Sequence, residues 1–70
     1  MNYDKKELKK ALAGMDWKLR YKDIVSMRFG LETGISQTLE ETGKHFGLTR
    51  ERIRQLEAKF LEMYRDLTNI

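Results

Sequence analysis

Cysteine and proline are both absent from this chain of 70 residues, which also has no internal repeat and no low-complexity tract. The lack of cysteine excludes disulfide bonds and thiolate metal sites. No apolar run has the length needed to cross a bilayer, so a membrane-spanning helix is not expected. The N-terminus leads into an amphipathic segment rather than the continuous apolar stretch of a secretory signal. These absences predict a cytoplasmic location.

Residues suited to catalysis are also scarce. His45 is the only histidine, and a lone histidine on a helix is far more often a surface or packing residue than a metal ligand. Glu40 and Glu41 point about 100° apart on a helix, so they cannot act together as an acid/base pair. The sequence shows no catalytic nucleophile and no glycine-rich phosphate loop. We therefore expect no enzymatic activity, no cofactor and no metal site.

The length of the chain allows a single domain over residues 1–70. Its formal net charge is +3, but residues 1–30 carry eight basic against four acidic residues, whereas residues 31–70 carry six against seven. Any attraction of the second half for phosphate must therefore be local. A basic cluster near the N-terminus could attract DNA or an acidic membrane, although a solvated helix face is the simpler interpretation; it consists of Lys5, Lys6, Lys9 and Lys10.

The pattern of caps and apolar residues predicts four helices and no strands. The first helix, over about residues 4–14, begins at Asp4, whose side chain is expected to form a capping box with Glu7. The second covers about residues 18–29 and is closed by Gly30. The predicted fold is a small all-α, four-helix domain.

The third and fourth helices, over about residues 38–67, are predicted to form a helix-turn-helix. The Thr38 hydroxyl can accept from the amide of Glu41 while the Glu41 carboxylate accepts from the amide of Thr38, a capping box. Gly47 can adopt the left-handed conformation that ends a helix at little cost. Thr49 is then the N-cap of the next helix. Two helices joined this tightly must cross at a steep angle, and Gly43 would let them approach closely.

The fourth helix separates into an apolar and a polar face at about 100° per residue. The stripe predicted to be buried consists of Ile53, Leu56, Phe60, Met63, Tyr64 and Leu67. The opposite face carries Arg50, Glu51, Arg54, Gln55, Ala58 and Lys59. Arginine can bond bidentately to guanine, glutamine to adenine, and glutamate can accept from the cytosine amino group. After the caps and the glycine turn, this polar face predicts a helix that reads DNA in the major groove.

Several segments of the chain match a known family. They are R-F-G-L at residues 28–31, T-L-E-E at 38–41, G-K at 43–44, F-G at 46–47 and T-R-E-R-I-R-Q-L-E-A-K at 49–59. Together they resemble region 4, the C-terminal region of bacterial sigma factors of the primary type, which are the promoter-recognition subunits of RNA polymerase. The last block is far more specific than a generic helix-turn-helix. The resemblance implies binding to the −35 promoter element as duplex DNA, and docking on the flap of the polymerase β subunit.

The resemblance also implies roles for individual side chains. The residues that would read base edges are Arg50, Glu51, Arg54 and Gln55. The residues that would lie along or near the phosphate backbone are Arg20, Arg28, Thr38, Leu39, Glu40, Thr49, Arg52 and Lys59. Lys44 would add a further local attraction for phosphate. An apolar groove for the β-flap helix would be lined by residues drawn from Ile24, Met27 and Phe29.

Two departures from the family pattern bear on these roles. Thr42 stands where the family usually has valine, which adds a hydroxyl that needs a partner. After Lys59 the family continues as a basic run, whereas this chain reads F-L-E-M-Y-R-D-L. Phe60, Leu61 and Met63 would therefore either cover the groove or form a second surface for an activator or anti-sigma factor. Alternatively, these apolar side chains close an ordinary four-helix core.

Two functions of different classes follow. The first is sequence-specific recognition of the −35 element as the region 4 domain of a sigma factor, which directs transcription initiation. The second is a sigma-like protein-interaction module that binds the β flap, an activator or an anti-sigma factor and has little DNA binding of its own. The intact block at residues 49–59 favours the first function, and the tail after Lys59 favours the second.

Overall fold

A computed structural model describes residues 4–68 of the chain. Within this range it contains four helices and no strand, in agreement with the predicted all-α fold. The helices are α1 (Lys5–Gly14), α2 (Leu19–Phe29), α3 (Leu39–Phe46) and α4 (Arg50–Thr68). The predicted single domain over residues 1–70 includes two short ends that lie outside the described residues.

Helix α1 begins as predicted at Asp4, whose Oδ1 accepts from the amide of Lys6 at 2.9 Å. The expected capping box with Glu7 is wrong. The Glu7 carboxylate instead accepts from the hydroxyl of Tyr64 at 3.1 Å, so that it ties α1 to the distal part of α4. A partner 57 positions away competes with the local cap, and only the tertiary fold brings that partner within reach.

Helix α2 ends at Gly30, which has the left-handed conformation with φ 66° that few other residues adopt readily. The amide of Leu31 then donates to the carbonyl of Ser26 at 2.9 Å, which satisfies one of the last carbonyls of the helix. The following loop packs directly over this glycine, because a Cβ atom added there would lie 2.5 Å from the carbonyl carbon of Ile35. The end of α2 therefore fixes the chain that leads into α3.

The capping box at the start of α3 is present as predicted. The Thr38 hydroxyl accepts from the Glu41 amide at 3.0 Å, and the Glu41 carboxylate accepts from the Thr38 amide at 2.9 Å. Thr42 is fully buried, and its hydroxyl donates to the Thr38 carbonyl at 2.8 Å. The polar group that replaces the usual valine is thus satisfied within its own helix.

The turn between α3 and α4 is built on Gly43 and Gly47. Gly47 has φ 70°, and both its amide and that of Leu48 donate to the Gly43 carbonyl, the latter at 2.8 Å. A Cβ atom at Gly43 would lie 2.5 Å from the carbonyl oxygen of Leu48, so a side chain is excluded there. Thr49 caps α4, because its hydroxyl accepts from the Arg52 amide at 3.1 Å.

Two core clusters lie along α4. The helix-turn-helix cluster contains Ile24, Ile53 and Leu56, with Tyr21, Leu39, Phe46 and Leu48 packed against it. The α1 cluster contains Leu8, Leu12, Met15, Val25, Phe60 and Tyr64. Trp17 packs on the α1 cluster, with its ring centroid 6.3 Å from that of Phe60. Ile24 and Val25 are adjacent in α2 but belong to different clusters, so α2 and α4 together join the two halves of the domain.

Three sequence-based assignments change with this packing. Ile24, which was expected in the partner groove, is only 1% exposed and belongs to the helix-turn-helix cluster. Phe60 was predicted in the buried stripe and was also named for a partner surface; it is 0% exposed and belongs to the α1 cluster, which agrees with the stripe and not with the partner surface. Leu67, which was expected in the buried stripe, is 59% exposed. It lies one turn beyond Tyr64, at the edge of the surface that α1 covers.

The close approach at Gly43 can be tested by adding a methyl group. Gly43→Ala forces the added carbon against the backbone of Leu48 and should lower the free energy of unfolding by about 1–3 kcal/mol. Gly14→Ala is the matched control, because Gly14 is helical and nothing lies within 4 Å of the added atom. The control should raise stability by about 0.4–1 kcal/mol. Urea unfolding measures both changes, and equal stability of the two variants would contradict the packing described for the turn.

Candidate nucleic-acid interface

The polar face of α4 is free of the core at every position expected to read bases. Arg50, Glu51, Arg54 and Gln55 are all exposed, as are Ala58 and Lys59 farther along the same face. The buried residues Ile53 and Leu56 project from the opposite side of the helix into the helix-turn-helix cluster. The N-terminal half of α4 therefore presents a row of hydrogen-bonding side chains to solvent, and it is fixed from behind by packed apolar residues.

Two of these side chains hold each other in place. Arg54 donates from Nε to both oxygens of the Glu51 carboxylate, at 3.0 and 3.1 Å, and a second guanidinium nitrogen also bonds to it. This hydrogen bond lowers the pKa of Glu51 below its usual value and raises that of Arg54. Both groups are charged at neutral pH, and because the pair is exposed its net stability is small. Arg54 can therefore exchange the carboxylate for base acceptors at little cost.

A concave surface lies between the start of α3 and the start of α4. Its lining residues are Arg28, Ser36, Gln37, Thr38, Leu39, Glu40, Arg50, Glu51 and Arg54. It brings together three of the four predicted base-reading residues and four of the residues predicted to lie near phosphates. We call its wall formed by Arg28, Gln37, Thr38, Leu39 and Glu40 the Arg28 flank of α4.

The start of α3 supplies backbone donors to this flank. The capping box uses the amides of Thr38 and Glu41, while the amides of Leu39 and Glu40 have no partner within the helix. The hydrogen bond from the Thr38 amide lowers the pKa of Glu41, so that this carboxylate is charged at neutral pH. The α3 N-terminus therefore offers two free amides to an anion, but the nearby Glu41 charge weakens that attraction.

Arg28 is bound more tightly to the protein than the expected phosphate contact suggests. Its Nη1 donates to the Gln37 carbonyl at 2.9 Å, and its Nε lies 3.5 Å from Oε1 of Glu57. The second contact is an ion pair without a hydrogen bond, since the buried Nε has no hydrogen-bond partner. Arg28 links α2 both to α4 and to the loop before α3, and so positions the α3 N-terminus beside α4.

The other side of α4 carries a second group of cations. Arg20 donates from Nη2 to the carbonyl of Phe46 at 2.7 Å, which places its charge at the C-terminal end of α3, where a cation is favourable. The Arg52 guanidinium lies 6.0 Å from the centre of the Tyr21 ring. Lys59 is exposed two turns beyond Arg52 on the same side of the helix. We call Arg20, Tyr21, Arg52 and Lys59 the Tyr21 flank.

Lys44 and Thr49 lie at the turn itself. They share a shallow depression with Gly47, Leu48 and Arg50, and both are exposed. The residues predicted to lie near phosphates are thus spread over the two flanks and the turn. None of them lies on the surface of α1.

A separate groove lies between α2 and α3. It is lined by Asp23, Ser26, Met27, Glu32, Thr33, Ile35, Gln37, Glu41, His45 and Phe46. Ile35 is 66% exposed beside the partly buried Met27 and Phe46, and three carboxylates surround these apolar side chains. Phe29, Leu61 and Met63 do not line it, because all three pack against the α1 cluster.

The chain matches a family of known proteins through the part that carries this face. A family profile described as "Sigma-70, region 4" matches residues 19–63. The protein is also 56% identical over 46 residues to "RNA polymerase sigma factor SigA" of Bacillus sp. The chain belongs to the sigma-70 region 4 family. The matched segment covers 66% of this chain and 12% of SigA, so the chain spans only a small part of that relative's length.

In this region 4 domain, α1 lies outside the matched residues, whereas α2, α3 and most of α4 lie within them. Among residues 4–68, no helix combines the length and the apolar character needed to span a bilayer. The same part of the chain contains no group of three or more side chains that could hold a metal ion. His45 packs edge-on against the ring of Phe46, with 4.9 Å between the ring centroids.

Sequence reasoning missed Glu57, the acidic partner of Arg28. On a helical projection Glu57 lies at the border between the buried stripe and the polar face of α4, next to Arg50 and Arg54. The Glu57 side chain is 18% exposed, and a carboxylate at such a border needs a cationic partner. The position of Glu57 on the helix could therefore have indicated an ion pair. The identity of the partner depends on how α2 crosses α4.

The contact between Glu57 and Arg28 should contribute to the stability of the region 4 domain. Glu57→Ala leaves a partly buried guanidinium without its carboxylate and should cost about 1–3 kcal/mol of unfolding free energy. Glu62→Ala removes an exposed carboxylate from the same helix and should change stability by no more than about 0.5 kcal/mol. Thermal unfolding of the two variants measures the difference. Equal melting temperatures would show that Arg28 is held by the Gln37 carbonyl alone.

Proposed function

We propose that this chain recognises the −35 promoter element as duplex DNA, in the role of a sigma factor region 4 domain, and thereby directs transcription initiation. The observation that carries the proposal is the exposed set Arg50, Glu51, Arg54 and Gln55 on a helix that follows a glycine turn. Its side chains have the donors and acceptors needed for guanine, cytosine and adenine edges. Membership of the sigma-70 region 4 family and the name of the Bacillus relative support this role.

The two flanks of α4 support the same proposal. A helix that enters the major groove has a phosphate strand on each side. One flank of α4 carries Arg28, and the other carries Arg20 and Arg52. The net charge of residues 31–70 is close to zero, so binding must depend on these local contacts rather than on an overall basic surface. The affinity of the isolated domain should accordingly be weak and dependent on salt.

A titration of labelled duplexes tests this function. A duplex with the −35 element should bind more tightly than a duplex of the same composition in scrambled order, at both low and moderate salt. Equal affinity for the two duplexes would leave only non-specific attraction, and no binding to either would favour the protein-interaction module. Salt must be varied, because the phosphate contribution alone can give apparent affinity at low ionic strength.

The role of Arg50 can be separated from that of a phosphate contact. Arg50→Ala should lower the preference at one or two base pairs by about 1–3 kcal/mol each and affect scrambled duplex much less. Lys59→Ala is the contrasting variant, because loss of a phosphate contact should weaken all duplexes alike. Competition with a set of singly substituted duplexes measures both profiles. A uniform loss in Arg50→Ala would assign Arg50 to the phosphate backbone.

We further propose that the RNA polymerase core is a partner and that the helix of its β flap docks in the groove between α2 and α3. Ile35 supports this choice, because it is a large apolar side chain left 66% exposed beside Met27 and Phe46. The surrounding carboxylates of Asp23, Glu32 and Glu41 favour a helix with basic residues beside its apolar face. The expected second surface for an activator or anti-sigma factor has less support, since Phe60, Leu61 and Met63 pack on the α1 cluster.

Chemical-shift mapping with a flap-tip peptide tests the docking groove. The largest shifts should fall on Met27, Ile35 and Phe46, and Ile35→Asp should abolish them, because the exposed side chain is the centre of the apolar contact. Met63→Asp cannot serve as the control because Met63 supports the core. Leu19→Asp is suitable, since Leu19 is 73% exposed and does not line the groove. No shifts at high peptide concentration would contradict this partner.

A further inference from the structure

The ring of Tyr21 has two cations near it that come from different parts of the chain. The Lys18 ammonium lies 5.9 Å from the ring centre, and the Arg52 guanidinium lies 6.0 Å from it. Lys18 is the residue before α2, whereas Arg52 belongs to the first turn of α4. Both distances are within the range in which a cation is attracted to an aromatic face. The shared ring keeps the two charges within about 12 Å of each other.

The charge gathered at this ring is not neutralised by acidic side chains. The ion pairs found among residues 4–68 join Lys9 to Glu32, Arg28 to Glu57 and Arg54 to Glu51. None of these pairs uses Lys18, Arg20 or Arg52. Arg20 bonds to the Phe46 carbonyl and Arg52 lies near Gln55, so both have neutral partners. Two exposed cations that repel each other, Lys18 and Arg52, are therefore held near one ring, which favours an anionic partner at that side.

The position of these cations relative to the exposed set Arg50, Glu51, Arg54 and Gln55, which we call the reading face, indicates what the anion is. Arg52 projects about 200° around α4 from Arg50, whereas Glu57, the residue that contacts Arg28, projects within about 20° of Arg50. Arg52 and the Arg28 flank therefore border the reading face on opposite sides. When α4 lies in a major groove, the cations around Tyr21 face one phosphate strand and the Arg28 flank faces the other.

We infer that Lys18 is an additional phosphate-binding residue, which extends the Tyr21 flank along one strand of the duplex. Tyr21 is the positioning residue, because its ring contacts both Lys18 and Arg52 and itself packs on the helix-turn-helix cluster. This inference rests on the proposed DNA binding and adds a residue that lies just outside the segment matching the region 4 family. Lys18 is exposed, and among residues 4–68 its ammonium belongs to none of the ion pairs, so it is available to a phosphate.

The test uses the full chain and compares Lys18→Gln with Lys18→Arg. Loss of one phosphate contact reduces the slope of log K against log salt by about 0.9, which corresponds to about a 3.5-fold smaller loss of affinity between 50 and 200 mM salt. Lys18→Gln should show this change with both the −35 and the scrambled duplex, and the ratio of the two affinities should stay as in the parent. Lys18→Arg keeps the charge and should keep the parental slope. Lys10→Gln, an exposed lysine on α1, is the charge-matched control and should also keep it.

The outcomes separate this inference from the proposed function. If Lys18→Gln has the parental slope while Arg50→Ala still loses its base preference, the domain reads DNA and Lys18 is not a contact. If Lys18→Gln and Lys10→Gln reduce the slope equally, only net charge matters and the inference is overturned. If the parent chain binds neither duplex, the proposed function itself fails. A thermal melt of Lys18→Gln at the parental temperature establishes that the fold is intact in each case.

Discussion

The close contact between Gly43 of α3 and the backbone of Leu48 determines how α4 is oriented against the rest of the domain. The Gly43 carbonyl accepts from the amides that follow α3, and the space where its side chain would lie is filled by the Leu48 carbonyl. The chain can therefore turn sharply, and Ile53 and Leu56 reach the apolar residues of α2 and α3. Once these two side chains are buried, the helical period places Arg50, Arg54 and Gln55 in solvent. The exposed polar face of α4 is a consequence of the turn and of the packing behind it.

Helix α4 carries two tasks along its length. Its first half packs in the helix-turn-helix cluster and carries the exposed polar face, whereas Phe60 and Tyr64 in its second half belong to the α1 cluster. The segment after Lys59 is apolar where the family has a basic run. The reason is that its aromatic side chains pack against α1. Leu8, Leu12 and Met15 supply the partner that these aromatic side chains need, and the Tyr64 hydroxyl bonds to Glu7. Helix α1 thus extends the small core of the domain rather than its polar surface.

The features that sequence predicted well are those with local causes. Thr38, Gly47 and Thr49 act through partners only a few residues away, so their roles could be deduced from spacing alone. Glu7, Arg28 and Glu57 act through partners on other helices, and those pairs could not be deduced before the crossing of the helices was known. Ile24 was assigned to a partner groove, and Phe60 both to the buried stripe and to a partner surface, because apolar spacing does not distinguish a core from an apolar groove. Both side chains are buried, in two separate clusters, so these two residues belong to the core and not to a partner surface.

In the proposed function, α4 reads base edges in the major groove of a duplex. The most direct measurement is the affinity of the chain for −35 duplexes in which each guanine in turn is replaced by 7-deazaguanine. This replacement removes the N7 acceptor from the major groove and leaves base pairing and the minor groove unchanged. We expect at least one such duplex to bind severalfold more weakly than the parent, at a position that Arg50 or Arg54 contacts. Unchanged affinity at every guanine, with the −35 duplex still preferred over scrambled DNA, would contradict reading by these arginines in the major groove.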